Sequence, residues 1–272
     1  MDIGCGGGDI SFDLVNKGAI VVGIDRSDSM LKVAEARKAS LSEEARQRVI
    51  FCKQDIMNLD ESIKKQYDFI VAFGLIGYLE SDDMFFNAVD ELSHKGTVVI
   101  LSCRNRLFNV TSISSNTLRE IRQGNIINLI EEIDEYYKNK VTYEHYLEFA
   151  IRLNSVAGYI CDMEKKKLNC ESAFEDTDKD RNVYKGDSNS GTGDVQPRQS
   201  TPKELKETAD AHGFCIKARY GVHPHLLLPR FNNMLPPQIF NLLSNTLCAF
   251  EDEDIAMVWS SVIVCCFEKN NN

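Results

Sequence analysis

The sequence predicts an α/β fold, one largely parallel sheet with helices on both faces, and three observations carry that reading. Short β-branched runs alternate with amphipathic stretches up to about residue 105. A glycine cluster separates the first such run from the first amphipathic stretch. Two more strand-like runs, near residues 214 and 257, close the chain. Strands and helices in short alternation fit a sheet whose crossovers pack back on it, in right-handed sense.

Taken in order, Ile20–Ile24, Val49–Cys52, Tyr67–Ala72 and Thr97–Leu101 read as buried strands. Ser29–Lys38 has helical spacing through Met30, Val33 and Ala34, and Asp83–Ser93 through Phe86, Val89 and Leu92. Residues 107–163 turn helical and more polar, as in Ile126–Ile133, and read as a helical insertion after the fifth strand. Residues 164–200 are dominated by Lys, Glu, Asp, Ser and Gly, a composition too poor in apolar surface to fold alone, so a mobile loop is expected there. Order should resume at Ser200, with Thr201 as N-cap and Pro202 opening a helix that stops at His212–Gly213. A strand over Phe214–Val222, a helix over Pro237–Phe250 and a long last strand over Ala256–Phe267 complete the chain. Residues 1–106 and 201–272 thus form two parts of one domain.

Composition narrows the function classes. With 272 residues, 43% hydrophobic and 26% charged, the chain suits a globular protein with one large core. A formal net charge of −10 argues against nucleic-acid backbones as partners. No apolar run approaches the roughly 20 residues of a membrane span, and the start lacks the basic flank and apolar stretch of a signal peptide, so a cytoplasmic location is expected. The nine cysteines include no C-x-x-C pair, so neither zinc nor another metal is expected, and buried reduced thiols are the simple reading.

The most informative motif is Asp2-Ile3-Gly4-Cys5-Gly6-Gly7-Gly8. Glycines after a strand let the backbone turn tightly and approach a ligand where a Cβ would collide. The helix that follows, about Asp9 to Lys17, offers free N–H groups at its start. A dinucleotide fingerprint G-x-G-x-x-G fails in both registers, because Asp9 or Ser11 occupies the third glycine position. What remains is D-x-G-x-G-x-G over Asp2, Gly4, Gly6 and Gly8.

That pattern resembles motif I of the class I S-adenosylmethionine-dependent methyltransferases. The likeness extends along the chain. Asp25 ends the second strand 21 residues beyond Gly4, and a carboxylate at that spacing can accept both ribose hydroxyls. Ser27–Leu31 looks like the helix start that follows this acid. Cys52–Met57 resembles the segment after strand three, Tyr67–Leu79 resembles motif IV, and Gly96–Leu101 the fifth strand. The resemblance implies a Rossmann-like seven-stranded sheet of order 3-2-1-4-5-7-6, its last strand antiparallel. It implies S-adenosyl-L-methionine as cofactor, held by Asp2, Gly4, Cys5, Gly6, Gly8, Asp25, Arg26, Asp55, Ile56 and Phe73. Asp55 would meet the adenine amino group and Ile56 would line the adenine pocket. One departure is that family members usually carry helices before motif I, whereas this chain begins within the first strand. An early truncation, with hydrogen bonds forfeited on a short central strand, is therefore expected.

Residues at the rim above the strand ends are the candidates for chemistry. His223 and His225 could serve as a base toward a hydroxyl or amine, or simply brace a rigid turn. Tyr78 and Arg104 could meet substrate, or pack and pair at the surface. His94, read at a helix end, and His145 and His212, read as helical, are expected to be structural. The insertion would act as a lid or as a dimer interface, with no oligomeric state indicated. Methyl transfer to oxygen or nitrogen of a small molecule is the favoured function. A catalytically silent S-adenosylmethionine-binding partner protein is the alternative.

Overall fold

The computed structural model describes residues 1–140, 197–225, 237 and 256–270. Seven strands follow the order β3-β2-β1-β4-β5-β8-β7, and a short β6 pairs with β5 alone. They are β1 (Asp2–Ile3), β2 (Val21–Asp25), β3 (Val49–Lys53), β4 (Tyr67–Ala72), β5 (Ser93–Asn105), β6 (Gln199–Ser200), β7 (Phe214–Pro224) and β8 (Ser260–Lys269). β8 runs antiparallel to both β5 and β7, while β1 to β5 are mutually parallel. Leaving β6 aside, this is the order and sense that the sequence predicts.

β1 is short, yet its neighbours extend its bonding. Val71 donates to the Met1 carbonyl at 2.9 Å, and the Gly4 and Cys5 N–H groups both donate to Ile24 at 2.8 and 2.9 Å. The core lies on both sides of these central strands. On one side α4 (Asp82–Glu91) seats Phe85, Phe86 and Val89, all fully buried, beneath β5 and β8. Phe86 meets Phe85, Phe214 and Phe267 at centroid distances of 5.3, 5.7 and 5.4 Å. Each such ring contributes about 1.5–3 kcal/mol by burial, plus about 0.5–1.5 kcal/mol for a well-tilted pair.

Helix starts follow their capping chemistry. Ser27 caps α2 (Asp28–Lys38), and Thr201 caps α8 (Pro202–Ala211) through a full capping box with Glu204. α2 departs from the face its spacing suggests. Leu31 and Ala34 enter the core, while Met30 and Val33 are 42% and 48% exposed and lean over the glycine loop instead.

Three other expectations are corrected. Residues 93–97 form the start of β5, not a helix end: Tyr67 pairs with Ser93 but Phe69 with Val98, and Thr97 bridges the bulge by donating to the Tyr67 carbonyl at 2.7 Å. His94 sits in that bulge beside Asp68. Regular structure is already present before Thr201, because Gln199 and Ser200 form a short strand that pairs with Arg104 and Asn105. The last strand begins at Ser260, preceded by a turn of helix, α9 (Ala256–Trp259). Asn105 fastens that junction by donating to the carbonyls of Met257, in the helical turn, and Ser260, the first strand residue. The helix expected over Pro237–Phe250 lies, apart from Pro237, outside the described residues, as do His145 and most of the 164–200 segment. The insertion is helical where described, as α5 (Phe108–Ser112), α6 (Ser115–Arg122) and α7 (Ile126–Lys140). Arg106 anchors it with bonds of 3.0 and 2.8 Å to the buried Glu120 and an ion pair to Glu204.

Three cysteines are sealed in this core, as composition suggests. Burial pushes the thiols of Cys5 and Cys265 up to about 12 and that of Cys103 to about 11, from an ordinary 9.0. The folded state therefore holds these protons above the pH at which the unfolded chain releases them. Their contribution is present below about pH 9 and is lost as pH rises toward 11–12. The unfolding temperature should fall steeply above pH 9, and less so in Cys103→Ala. An equal alkaline slope in both proteins would refute this assignment.

Candidate functional site: a cleft at the carboxyl edge of the sheet

α1 (Asp9–Asn16) begins at Gly8, whose φ of +85° is left-handed. Between β1 and α1 the loop turns through Gly4 and Gly6 as well, both at positive φ. At Gly8 a methyl group would fall 2.7 Å from the Phe12 ring and 3.0 Å from Phe51, so neither conformation nor space admits a side chain. Arg37 braces the outer side of the loop. It donates to the Gly7 carbonyl at 2.8 Å, pairs with Asp9 at 2.6 Å and lies 5.0 Å above the Phe12 ring.

Above this loop opens a cleft of about 680 Å³, in the size range of a small-molecule site. β1 supplies Ile3 and Gly4, β2 supplies Ile24 and Asp25, and Arg26, Ser27, Gln54, Asp55 and Ile56 follow from the next two loops. The segment after β4 closes the far wall with Phe73, Gly74, Leu75, Tyr78 and Leu79.

Asp25 is held from both sides. The Gly6 N–H donates to one carboxylate oxygen at 2.9 Å and the Ser27 N–H to the other at 2.8 Å. A carboxylate offers about four acceptor sites, so two remain for a ligand. Across the cleft, Asp55 accepts from the Met57 N–H at 3.0 Å and pairs with Arg26 at 3.5 Å. Ile56 beside it is buried. Gly74 is fixed from the next strand, its N–H donating 2.8 Å to the Ser102 hydroxyl.

The structure thus gathers Gly4, Asp25, Arg26, Asp55, Ile56, Phe73 and Tyr78 around one cleft. Gly6 binds Asp25, and Gly8 starts the helix behind it. Asp2 and Cys5 lie lower. Asp2 is buried under the loop and accepts a 2.6 Å bond from Ser11, and burial raises its carboxyl above the usual range. The remaining candidates stand apart from the described lining. Arg104 is exposed on β5 between β6 and β8. His225 stacks on Phe108 at 4.9 Å, with Nε2 3.3 Å from the Ser261 hydroxyl. β7, which carries His223 and leads to His225, is three strand spacings from β4, roughly 14 Å. Gln54, Leu75 and Leu79 fall within segments that the sequence reading singled out, but nothing in their types gave them a role of their own in the wall. Ser27 left a signal, being two residues beyond Asp25.

The comparisons with known proteins decide the family. Residues 1–180 match the family model described as a methyltransferase domain. The chain belongs to the class I S-adenosylmethionine-dependent methyltransferases. Among curated relatives, the chain is 29% identical over 150 residues to a protein of Invertebrate iridescent virus 6 assigned as methyltransferase 235L, covering 54% of this chain and 52% of that one. It is 30% identical over 106 residues to the ubiquinone biosynthesis O-methyltransferase of Dechloromonas aromatica, covering 39% and 44%. The chain therefore spans about half the length of the curated relatives it matches. A solved structure from Listeria monocytogenes, assigned as an S-adenosylmethionine-dependent methyltransferase, shares the fold at TM-score 0.52 and 15% identity, over 99% of this chain and 89% of that one. Among the described residues, no helix is long and apolar enough to cross a membrane.

Proposed function

We propose that this chain binds S-adenosyl-L-methionine in the cleft above the glycine loop and transfers its methyl group to oxygen or nitrogen of a small-molecule acceptor. The observation that carries this is Asp25, pinned at the end of β2 by the Gly6 and Ser27 N–H groups with its remaining lone pairs directed to the cleft rim. A vicinal diol satisfies such a carboxylate with two O–H donors, and an adenosyl ribose carries one. Asp55 supplies an acceptor for an exocyclic amine, and Ile3, Ile24 and Ile56 supply apolar surface for a purine. Gly4 leaves room for the chain beyond the ribose, since a Cβ there would stand 3.3 Å from Leu75.

When bound there, S-adenosylmethionine supplies an electrophilic methyl group: the acceptor's O or N forms a bond to that carbon as the sulfur–carbon bond breaks, the electron pair stays on sulfur, and the acceptor's proton passes to solvent. The protein's part is orientation. Asp25 and Asp55 set the two ends of the nucleoside, which fixes where the methyl group points. Tyr78, 49% exposed on the 3₁₀ turn Ile76–Tyr78, is the described aromatic side chain best placed to meet the acceptor.

Thermal unfolding with S-adenosylhomocysteine, S-adenosylmethionine and NAD tests the reading. At 100-fold over Kd, binding adds about 2.7 kcal/mol, a shift of roughly 5–10 °C at this size. A shift with the two sulfur ligands and none with NAD is expected. A shift with NAD alone would sink the proposal. Turnover with a panel of phenols and amines then separates an active enzyme from a silent binding partner.

A further inference from the structure

The wall of the cleft formed by residues 73–79 does not hold itself. Within it, Tyr78 donates to Leu75 at 2.9 Å and Leu79 to Ile76 at 3.2 Å, which closes a single turn. Three carbonyls of this segment are met by one residue about 120 positions later in the chain. The backbone N–H of Arg198 donates to the Gly77 carbonyl at 2.7 Å. Its guanidinium donates to the Leu79 carbonyl at 2.6 Å, to the Ile76 carbonyl at 3.2 Å and to the Asp82 carboxylate at 2.7 Å. Asp82 opens α4, and its second oxygen takes the Ser200 hydroxyl at 2.7 Å. The approach is so close that a methyl group on Gly77 would lie 2.8 Å from the Arg198 carbonyl oxygen and 3.0 Å from Pro197.

We infer that Arg198 is a positioning residue of the cofactor site: the strap Pro197–Ser200 fixes the wall that carries Tyr78 and Leu79, and so couples the return of the insertion to ligand binding. The inference rests on the cleft being the adenosyl site proposed above. A planar guanidinium suits the task because it presents five donors in a fixed fork, enough for two carbonyls and a carboxylate at once. Lysine, a single charged head, cannot span all three. The strap is itself anchored through β6 on β5, so the wall inherits the rigidity of the sheet. Free of the strap, the turn at 76–79 would leave the Leu79 carbonyl and the Asp82 carboxylate without these donors.

Two readouts test this on the full chain. Hydrogen–deuterium exchange without any ligand should show faster exchange at the Tyr78 and Leu79 amides in Arg198→Ala and in Gly77→Ala, with the β2 and β5 amides unchanged. Calorimetric titration with S-adenosylhomocysteine should show binding weakened at least tenfold in Arg198→Ala, less in Arg198→Lys, and partly restored to Arg198→Ala by added guanidinium at tens of millimolar. Unchanged exchange over residues 75–79 would overturn the strap's role, as would a lowered unfolding temperature with unaltered affinity, which marks a stabilising contact only. Wild-type chain that binds no S-adenosylhomocysteine would instead refute the adenosyl site, while the exchange result would still decide whether Arg198 holds the wall.

Discussion

Replacing Asp25 with alanine is expected to weaken S-adenosylhomocysteine binding by about a hundredfold to a few thousandfold while leaving the sheet intact. The carboxylate would offer its free lone pairs to two ribose hydroxyls, and hydrogen bonds to a charged group are each worth about 1.5–3 kcal/mol. Losing a pair costs on the order of 3–5 kcal/mol, and each 1.4 kcal/mol is a factor of ten. The same change also strips the Gly6 and Ser27 N–H groups of their acceptor. The loop then loses the tie that bends it toward β2, which adds to the loss. Asp25→Asn separates the effects: its amide keeps one acceptor oxygen but turns an NH₂ toward one of the two N–H donors. Its affinity should therefore fall nearly as far as that of the alanine variant. Titration calorimetry decides, and a Kd within threefold of wild type would remove Asp25 from the site.

Gly8→Ala should cost about 2–5 kcal/mol of folding stability. Two penalties act together. A side chain at φ +85° is strained by roughly 1–2 kcal/mol. The methyl carbon would also sit 2.7 Å from Phe12 and 3.0 Å from Phe51, and both rings are held, meeting edge to face at 5.6 Å. Overpacking of that kind costs about 1–3 kcal/mol. At about 2–4 °C per kcal/mol for a chain of this size, the unfolding temperature should drop by roughly 5–20 °C. Gly18→Ala serves as the comparison, since Gly18 has a similar φ of +95° with nothing within 4 Å of a Cβ. Equal losses at the two positions would show that packing against Phe12 and Phe51 contributes nothing.

Local patterns were enough to read much of the fold. β-branched runs marked β2, β3 and β4 to within a residue, because β-branched and apolar side chains pack well on a pleated sheet. Thr201, Pro202 and Glu204 declared the start of α8, because capping depends on neighbours three residues apart. The errors share a cause. The junction before β8 is fastened by Asn105, more than 150 residues earlier, and the bulge at His94 by Thr97 bonding to Tyr67 on the adjacent strand. Met30 and Val33 look like core residues by spacing, but the loop they cover is built from the glycines of another segment.

The site divides along the same line. By itself the sequence pointed to the residues that line one half of the cleft: a glycine turn, an acid 21 residues on and a second acid after strand three, all legible because each sits at the end of its own strand. Only the tertiary structure decided the other half. It placed Leu75 and Leu79 opposite Gly4, turned Ser102 to hold Gly74, and brought Arg198 onto the turn at 76–79. It also set Arg104, on β5 between β6 and β8, and His225, beyond the end of β7 at the sheet's edge, away from the described lining. The physical reason is range: turns, caps and strand ends are governed by interactions a few residues apart, whereas a carbonyl's distant donor depends on how the whole chain returns to meet it.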